Sequence, residues 1–325
     1  MSSCYNREMN TQLLTDGLTI IAACREQTND IWHAHYGAAA IGSALFASSG
    51  WLSPQAAARL EEQAATMVKT ALDPAYVAAD SDSRCEETTA ATAILDALEG
   101  TISELHWVGH HVIYSASSLL AIRHLQRWGS SDQLSGLSAL IRAFERTIPG
   151  RSWIGYSAAE VRRMQVTAED GFPTISHPRE LSTLVLEQLA AFPVIYRAEA
   201  HHDLIGHMLT YAHALNILFD LGHVSFFERG VPPLLKLVKV LRSSIDRLHD
   251  DPVRLVSPVD RLPLQPAERG RWLPTDERYW QRDYSDIDWD FGHVFKFAHS
   301  FYDHLGRVSN RKPAYEEQLR YLIVP

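Results

Sequence analysis

Through most of this chain apolar residues return every three to four positions. The period is clear in "SPQAAARLEEQAATMVKTAL" (53–72), where a serine stands ahead of the first turn. It recurs in "CEETTAATAILDALEGTI", "QLSGLSALIRAFERTI", "RELSTLVLEQLAAF" and "GVPPLLKLVKVLRSSIDRL". Such spacing lines apolar side chains along one helical face, and a serine just before it is an N-cap signal. Alternating strand patterns are scarce. The pattern predicts an all-α fold, one multi-helix domain over residues 1–325. One stretch departs from it. Residues 250–290 are rich in Pro, Asp and Arg, carry Trp272, Trp280 and Trp289, and show little periodicity. A long irregular insertion inside a compact domain is usually functional or disordered. Its aromatic content favours order, so a lid or wall over a pocket is expected.

A looser repeat runs through the helices. Four segments place histidines at or near the start of a long apolar run: "WHAHYGAAAIGSALF", "HWVGHHVIYSASSLLAI", "HHDLIGHMLTYAHALNILF" and "FGHVFKFAHSFYDHL". A lone helical histidine is more often a packing residue than a ligand. Four histidine-bearing helices are another matter, because bundles build metal sites from inward side chains on separate helices. The last segment adds Lys296 three residues after His293, on the same face, with Ser300 and His304 continuing it. A lysine there can snorkel to water. Burial instead lowers its pKa and leaves a nucleophilic amine, which can add carbon dioxide and become a carbamate, a carboxylate-like oxygen ligand.

Composition removes several alternatives. The chain is 46% hydrophobic and 21% charged with net charge −9, and no Lys/Arg block stands out, which argues against a nucleic-acid or anionic-membrane partner. No apolar run reaches the length of a membrane span, and "MSSCYNREMNTQLL" lacks the pattern of a secretory leader. Cys4, Cys24 and Cys85 are an odd, scattered set that fits a reducing cytoplasm. There is no GxG, Walker A loop, GxSxG, HExxH or CxxC.

The order of motifs resembles the questin oxidase-like family. "HAHYGAAAIGSAL" matches its early histidine helix. His110-His111-Val112-Ile113-Tyr114-Ser115-Ala116 matches a pattern like H-G-x-I-R-x-A. His207-Met208-Leu209-Thr210 matches H-A-x-T, His293-Val294-Phe295-Lys296 matches H-x-x-K, and "PAYEEQLRYLIV" is similar to the closing helix. The resemblance implies a non-haem Fe(II) held by His35, His110, His207, His293 and a carboxylated Lys296 (N6-carboxylysine). It further implies O2-dependent ring opening of an aromatic, anthraquinone-type polyketide. His33, two residues from His35, could take that ligand's place. The departures from the pattern, His111 at a Gly-like position and Tyr114 where Arg is frequent, bear on the substrate side. These two and Lys296 are the candidate catalytic side chains.

Five ligands would leave one of six positions for dioxygen. Tyr36, Trp107, Tyr211 and Phe295, with Tyr114 and Phe297, could stack a flat small-molecule substrate, or belong to the core. Electrons would come from the substrate or from an external reductant such as NADPH, since no dinucleotide motif is present. Among the other histidines, His106, His111, His213 and His299 would orient ligands or pack, and His201, His202, His223 and His304 would lie near the surface or at helix ends. Two rival readings use the same residues. In an HD-type metal enzyme, His202-Asp203 would ligate. In a helical binding protein without chemistry, the histidines would not converge.

Overall fold

The computed structural model of the chain describes residues 8–76 and 84–323. Cys4 with the rest of residues 1–7, and Val324 of the closing segment, lie outside the described residues. Among those described, the all-α expectation holds: twelve α-helices and only short two-residue strand pairs are present. No helix among them is long and apolar enough to cross a membrane.

Four helices surround a common axis. They are α2 (Ala34–Ser48), α5 (His110–Leu125), α9 (Leu204–Asp220) and α11 (His293–Arg307). Each packs on two of the others, in the ring α2–α5–α9–α11. Their sequences explain the central position. In α2 every residue from Ala34 to Ala47 is buried, and in α9 every residue from Leu204 to Leu218. A helix apolar all round belongs in a core. The remaining helices form a jacket. α1 (Thr11–Thr28) lies on α2, and α10 (Val224–Arg247) on α9. α8 (Pro178–Ala190) covers α9 and α11. Gly17 on α1 and Gly37 on α2 set the α1–α2 approach: a Cβ at either would strike the other's carbonyl oxygen.

The irregular stretch after α10 is packed rather than lid-like. Leu255–Val256 pairs antiparallel with Trp153–Ile154. Trp280 and Trp289 are buried, and Gln63 of α3 (Pro54–Ala71) donates to the Trp280 carbonyl at 3.0 Å. The expectation of a cover is corrected accordingly: within 250–290 only Asp290 borders the central cavity. Of the three tryptophans that promised a lid, Trp280 and Trp289 bury themselves against the helical body, which removes apolar surface from water, while Trp272 stays half-buried under Arg271 and Arg278.

Candidate metal centre

The four central helices begin at one point. His110 and His293 are the first residues of α5 and α11, His35 is the second of α2 and His207 the fourth of α9. Their lead-in backbones are unusual. Trp107 and Val108 (φ 38° and 50°) precede Gly109 (φ 96°), and Asp288 to Phe291 (φ 46° to 53°) precede Gly292 (φ 80°). Five successive left-handed residues, four of them not glycine, store strain of the kind concentrated at functional sites. A Cβ on Gly292 would lie 2.7 Å from the Ala39 Cβ, and one on Gly109 or Gly206 would strike the ring of Tyr211 or Phe297. Glycine before these three histidines therefore lets their helix starts crowd together.

Hydrogen bonds fix the outer nitrogens. Nδ1–H of His35 donates to the Trp32 carbonyl at 2.8 Å, that of His207 to the Asp203 carbonyl at 2.7 Å, and that of His110 to the Trp107 carbonyl. A carbonyl only accepts, so the proton sits on Nδ1 in all three and each Nε2 carries a lone pair. Those lone pairs face one another. Nε2 of His110 is 2.8 Å from Nε2 of His35 and 3.1 Å from Nε2 of His207. His293 completes the group, with a ring nitrogen within 4.8 Å of those of His35 and His207. Its Nε2 is buried with no hydrogen-bond partner.

Facing lone pairs repel unless a cation lies between them. A proton is a poor candidate. Burial, then the neighbouring positive groups, pushes the pKa of His35, His110 and His293 well below the usual histidine value, and burial pushes that of His207 down to about 4. A metal fits. With nitrogens about 2.0–2.1 Å from an ion, two at right angles stand about 2.9 Å apart.

Around this centre lie groups that hold it. Tyr114, one turn along α5 from His110, brings its hydroxyl to 2.7 Å from His35 Nδ1 and donates to the Ile31 carbonyl at 3.2 Å. Nδ1 of His293 lies 3.7 Å from the Asp203 carboxylate and 3.8 Å from that of Asp290. Carboxylates behind metal-binding histidines orient the ring and raise its basicity. Burial, then Asp203, raises the Asp290 pKa to about 6.

Lys296 is buried, and burial lowers its pKa to about 7, against the pull of Asp203 and Asp290. With Ala38, Ile113 and Thr210 it lines a small void. Each of these residues stands three places after one of the histidines, so the void is the layer one turn below the histidine layer. All four helices thus run the same way, with their N-termini at the site. Each N-terminus carries roughly half a positive charge, which disfavours an ammonium there and favours an anion.

On the other side the centre opens into a cavity of about 390 Å³. Trp32, Trp107 and Phe291 supply its aromatic wall, and Asp203, Asp290 and Glu199 its acidic one. Glu199 is held by Arg151 at 2.6 Å and by Ser152 at 2.7 Å. Of the aromatic residues expected to face a substrate, Trp107 alone does. Tyr36 instead donates to the Asp288 carboxylate at 2.7 Å. Phe295 stacks on Trp280, and Tyr211 packs beneath Gly109 and donates to the Gly230 carbonyl. His111 faces His106 and Phe144 in the core, and Tyr114 stands behind His35, so neither reaches the cavity.

The remaining histidines sort by contact. His33 turns to the Ala71 carbonyl of α3 at 2.7 Å, which leaves His35 at the centre. His201, His202 and His304 are buried rather than near the surface, but they do lie at helix ends as expected, His304 in the last turn of α11 and His201 and His202 in the short π-turn that leads into α9. His304 is anchored between Ser182, Asn216 and the Leu209 carbonyl. Sequence reasoning missed Trp32, Arg151, Ser152, Glu199 and Asp290. It also passed over the Gly-His dipeptides at 109–110, 206–207 and 292–293, although the same pair at 222–223 lies outside the centre. Set against known protein families, characterised proteins and solved structures, the chain has no match.

Proposed function

We propose that this centre binds a non-haem iron and that the chain is an oxygenase of the questin oxidase-like kind, opening a ring of an electron-rich aromatic substrate with O2. The observation that carries the reading is the convergence of three Nε2 lone pairs, locked by Nδ1–H bonds to carbonyls, beside the unpartnered Nε2 of His293. Iron(II) suits imidazole donors and would supply the redox site at which dioxygen reacts.

The chain's own residues would do the rest. His35, His110, His207 and His293 hold the ion. The neutral Lys296 amine attacks carbon dioxide: an N–C bond forms, one C–O π pair moves to oxygen, and the nitrogen gives up a proton to water. The carbamate is an anion in a place where four helix N-termini favour one. Trp32, Trp107 and Phe291 stack a flat ring system, and the cavity is within the roughly 300–1,000 Å³ of small-molecule sites. Asp290, with its pKa near 6, takes up a phenolic proton from that ring system. Electrons come from the substrate or from an external reductant such as NADPH.

The HD-type alternative is less favoured by the geometry. The Asp203 carboxylate lies 3.5 Å from His202 Nδ1 and on the outer nitrogen of His293, as an orienting group would. Metal content of three proteins tests the lysine. Lys296→Ala should lose most of the metal and Lys296→Glu should keep part of it. Equal metal in both variants and the parent would remove Lys296 from the centre.

A further inference from the structure

Behind the histidine layer the structure holds further space, reached at Lys296. The void below the histidine layer has a volume of about 20 Å³, room for one water-sized molecule at roughly 10–15 Å³ each. It shares no lining residue with the front cavity. It does share Leu45, His213, Ile217 and His299 with a third cavity of about 290 Å³, bordered by Asp220, Asp303 and Arg307. Those charged residues are partly exposed and joined by ion pairs of 2.6 and 2.7 Å. Leu45, His213, Ile217 and His299 therefore border both the rear cavity and the void that touches Lys296.

The character of these four side chains limits what can pass them. Leu45 and Ile217 are apolar. His213 donates or accepts at Ser300 Oγ at 3.0 Å and packs edge-on against His299. Burial keeps both histidines uncharged at neutral pH. Beyond these four side chains, Ala38, Ile41, Ile113 and Ala214 supply most of the wall, with Ser117, Thr210, Ser300 and Lys296 among them. An ion would have to shed its hydration shell to enter a space of about 20 Å³, and an aromatic molecule would not fit.

We infer that this rear corridor carries uncharged molecules of two or three atoms to the metal centre, while the front cavity receives the organic substrate. The inference rests on the reading of the histidine centre as an iron site. The shared chemistry is that of a small apolar gas, either dioxygen for the iron or carbon dioxide for Lys296.

Gly42 gives a way to close the corridor. A Cβ there would stand 3.5 Å from His299 Nδ1, an ordinary contact, so a longer side chain grows into the neck without a backbone clash. Gly42→Leu narrows the route, and Ile217→Ala widens it. Nitric oxide serves as the probe for the dioxygen route: it is mixed with the anaerobic Fe(II) protein, and the iron–nitrosyl absorption is followed by stopped flow. Carbamate recovery on the CO2-stripped protein, followed by ¹³C NMR with ¹³CO2, reports the other route. Gly42→Leu should slow one or both at least about tenfold and Ile217→Ala should speed the same process, with final amplitudes unchanged. Slowing of both identifies a common path, and slowing of one identifies the gas. Parent rates in both variants and both assays would overturn the corridor. Absence of any nitrosyl signal in the parent protein would instead overturn the iron reading on which it rests.

Discussion

Asp203 holds two histidines of the centre with two different groups. Its backbone carbonyl accepts from His207 Nδ1 at 2.7 Å, and its carboxylate lies 3.7 Å from His293 Nδ1. The two contacts respond differently to mutation. Asp203→Asn keeps the carbonyl and removes only the charge behind His293. Metal affinity should fall by roughly tenfold, the lower end for such supporting groups, while saturating metal restores full loading. Titration against a competing chelator measures this. Complete loss of binding would make Asp203 a ligand, as the HD-type reading requires.

Two glycines with similar backbones separate strain from crowding. Gly292 (φ 80°) and Gly222 (φ 88°) both adopt left-handed conformations, but a Cβ on Gly222 meets nothing within 4 Å, whereas one on Gly292 meets Ala39 at 2.7 Å and the His35 carbonyl oxygen at 3.2 Å. Alanine at either position should cost about 1–2 kcal/mol from the backbone alone. Only Gly292→Ala should also lower metal binding, because it displaces the starts of α2 and α11. Urea melts and metal analysis of both variants check this. Equal metal loss would deny Gly292 its positioning role.

Stability should decline in mild acid through histidines far from the centre. His304 donates from Nε2 to the Leu209 carbonyl at 2.9 Å, and its Nδ1 accepts from Ser182 at 2.9 Å. This arrangement requires the neutral ring, and burial lowers its pKa to about 4. The unfolded chain, with a histidine pKa near 6.5, binds the proton first as pH falls. The contribution is therefore complete above pH 6.5 and is lost as pH drops toward 4. Between pH 7 and 5 one such group removes roughly 2 kcal/mol. In metal-free protein, His304→Gln should reduce the difference in unfolding free energy between those pH values by about that amount. An unchanged difference would mean that His304 titrates normally.

Helical periodicity and the histidine-led segments were legible because both are local. Three-residue steps from each histidine lead to Ala38, Ile113, Thr210 and Lys296, which do share one void. The aromatic expectations failed where they followed adjacency in sequence. Tyr36 is one place from His35 and Phe295 two from His293, steps of about 100° and 200° around a helix, and both rings point away. Trp32, Arg151, Ser152 and Glu199 reach the cavity from segments outside the core helices. Only tertiary packing brings those segments to the site, and no periodic signal marks them. The Trp280 region shows the converse. Its composition read as a cover, but stacking of the Trp280 ring on Phe295 of α11, with its backbone tied to Gln63 of α3, outweighed exposure over the cavity.

Metal analysis of the purified, full-length protein tests the central claim most directly. Protein produced with iron available and handled without chelators should carry about one iron per chain. Exchange of His35, His110, His207 or His293 for alanine should each remove most of it. Parent protein that binds no transition metal, even after reconstitution with Fe(II) under anaerobic conditions, would contradict the account.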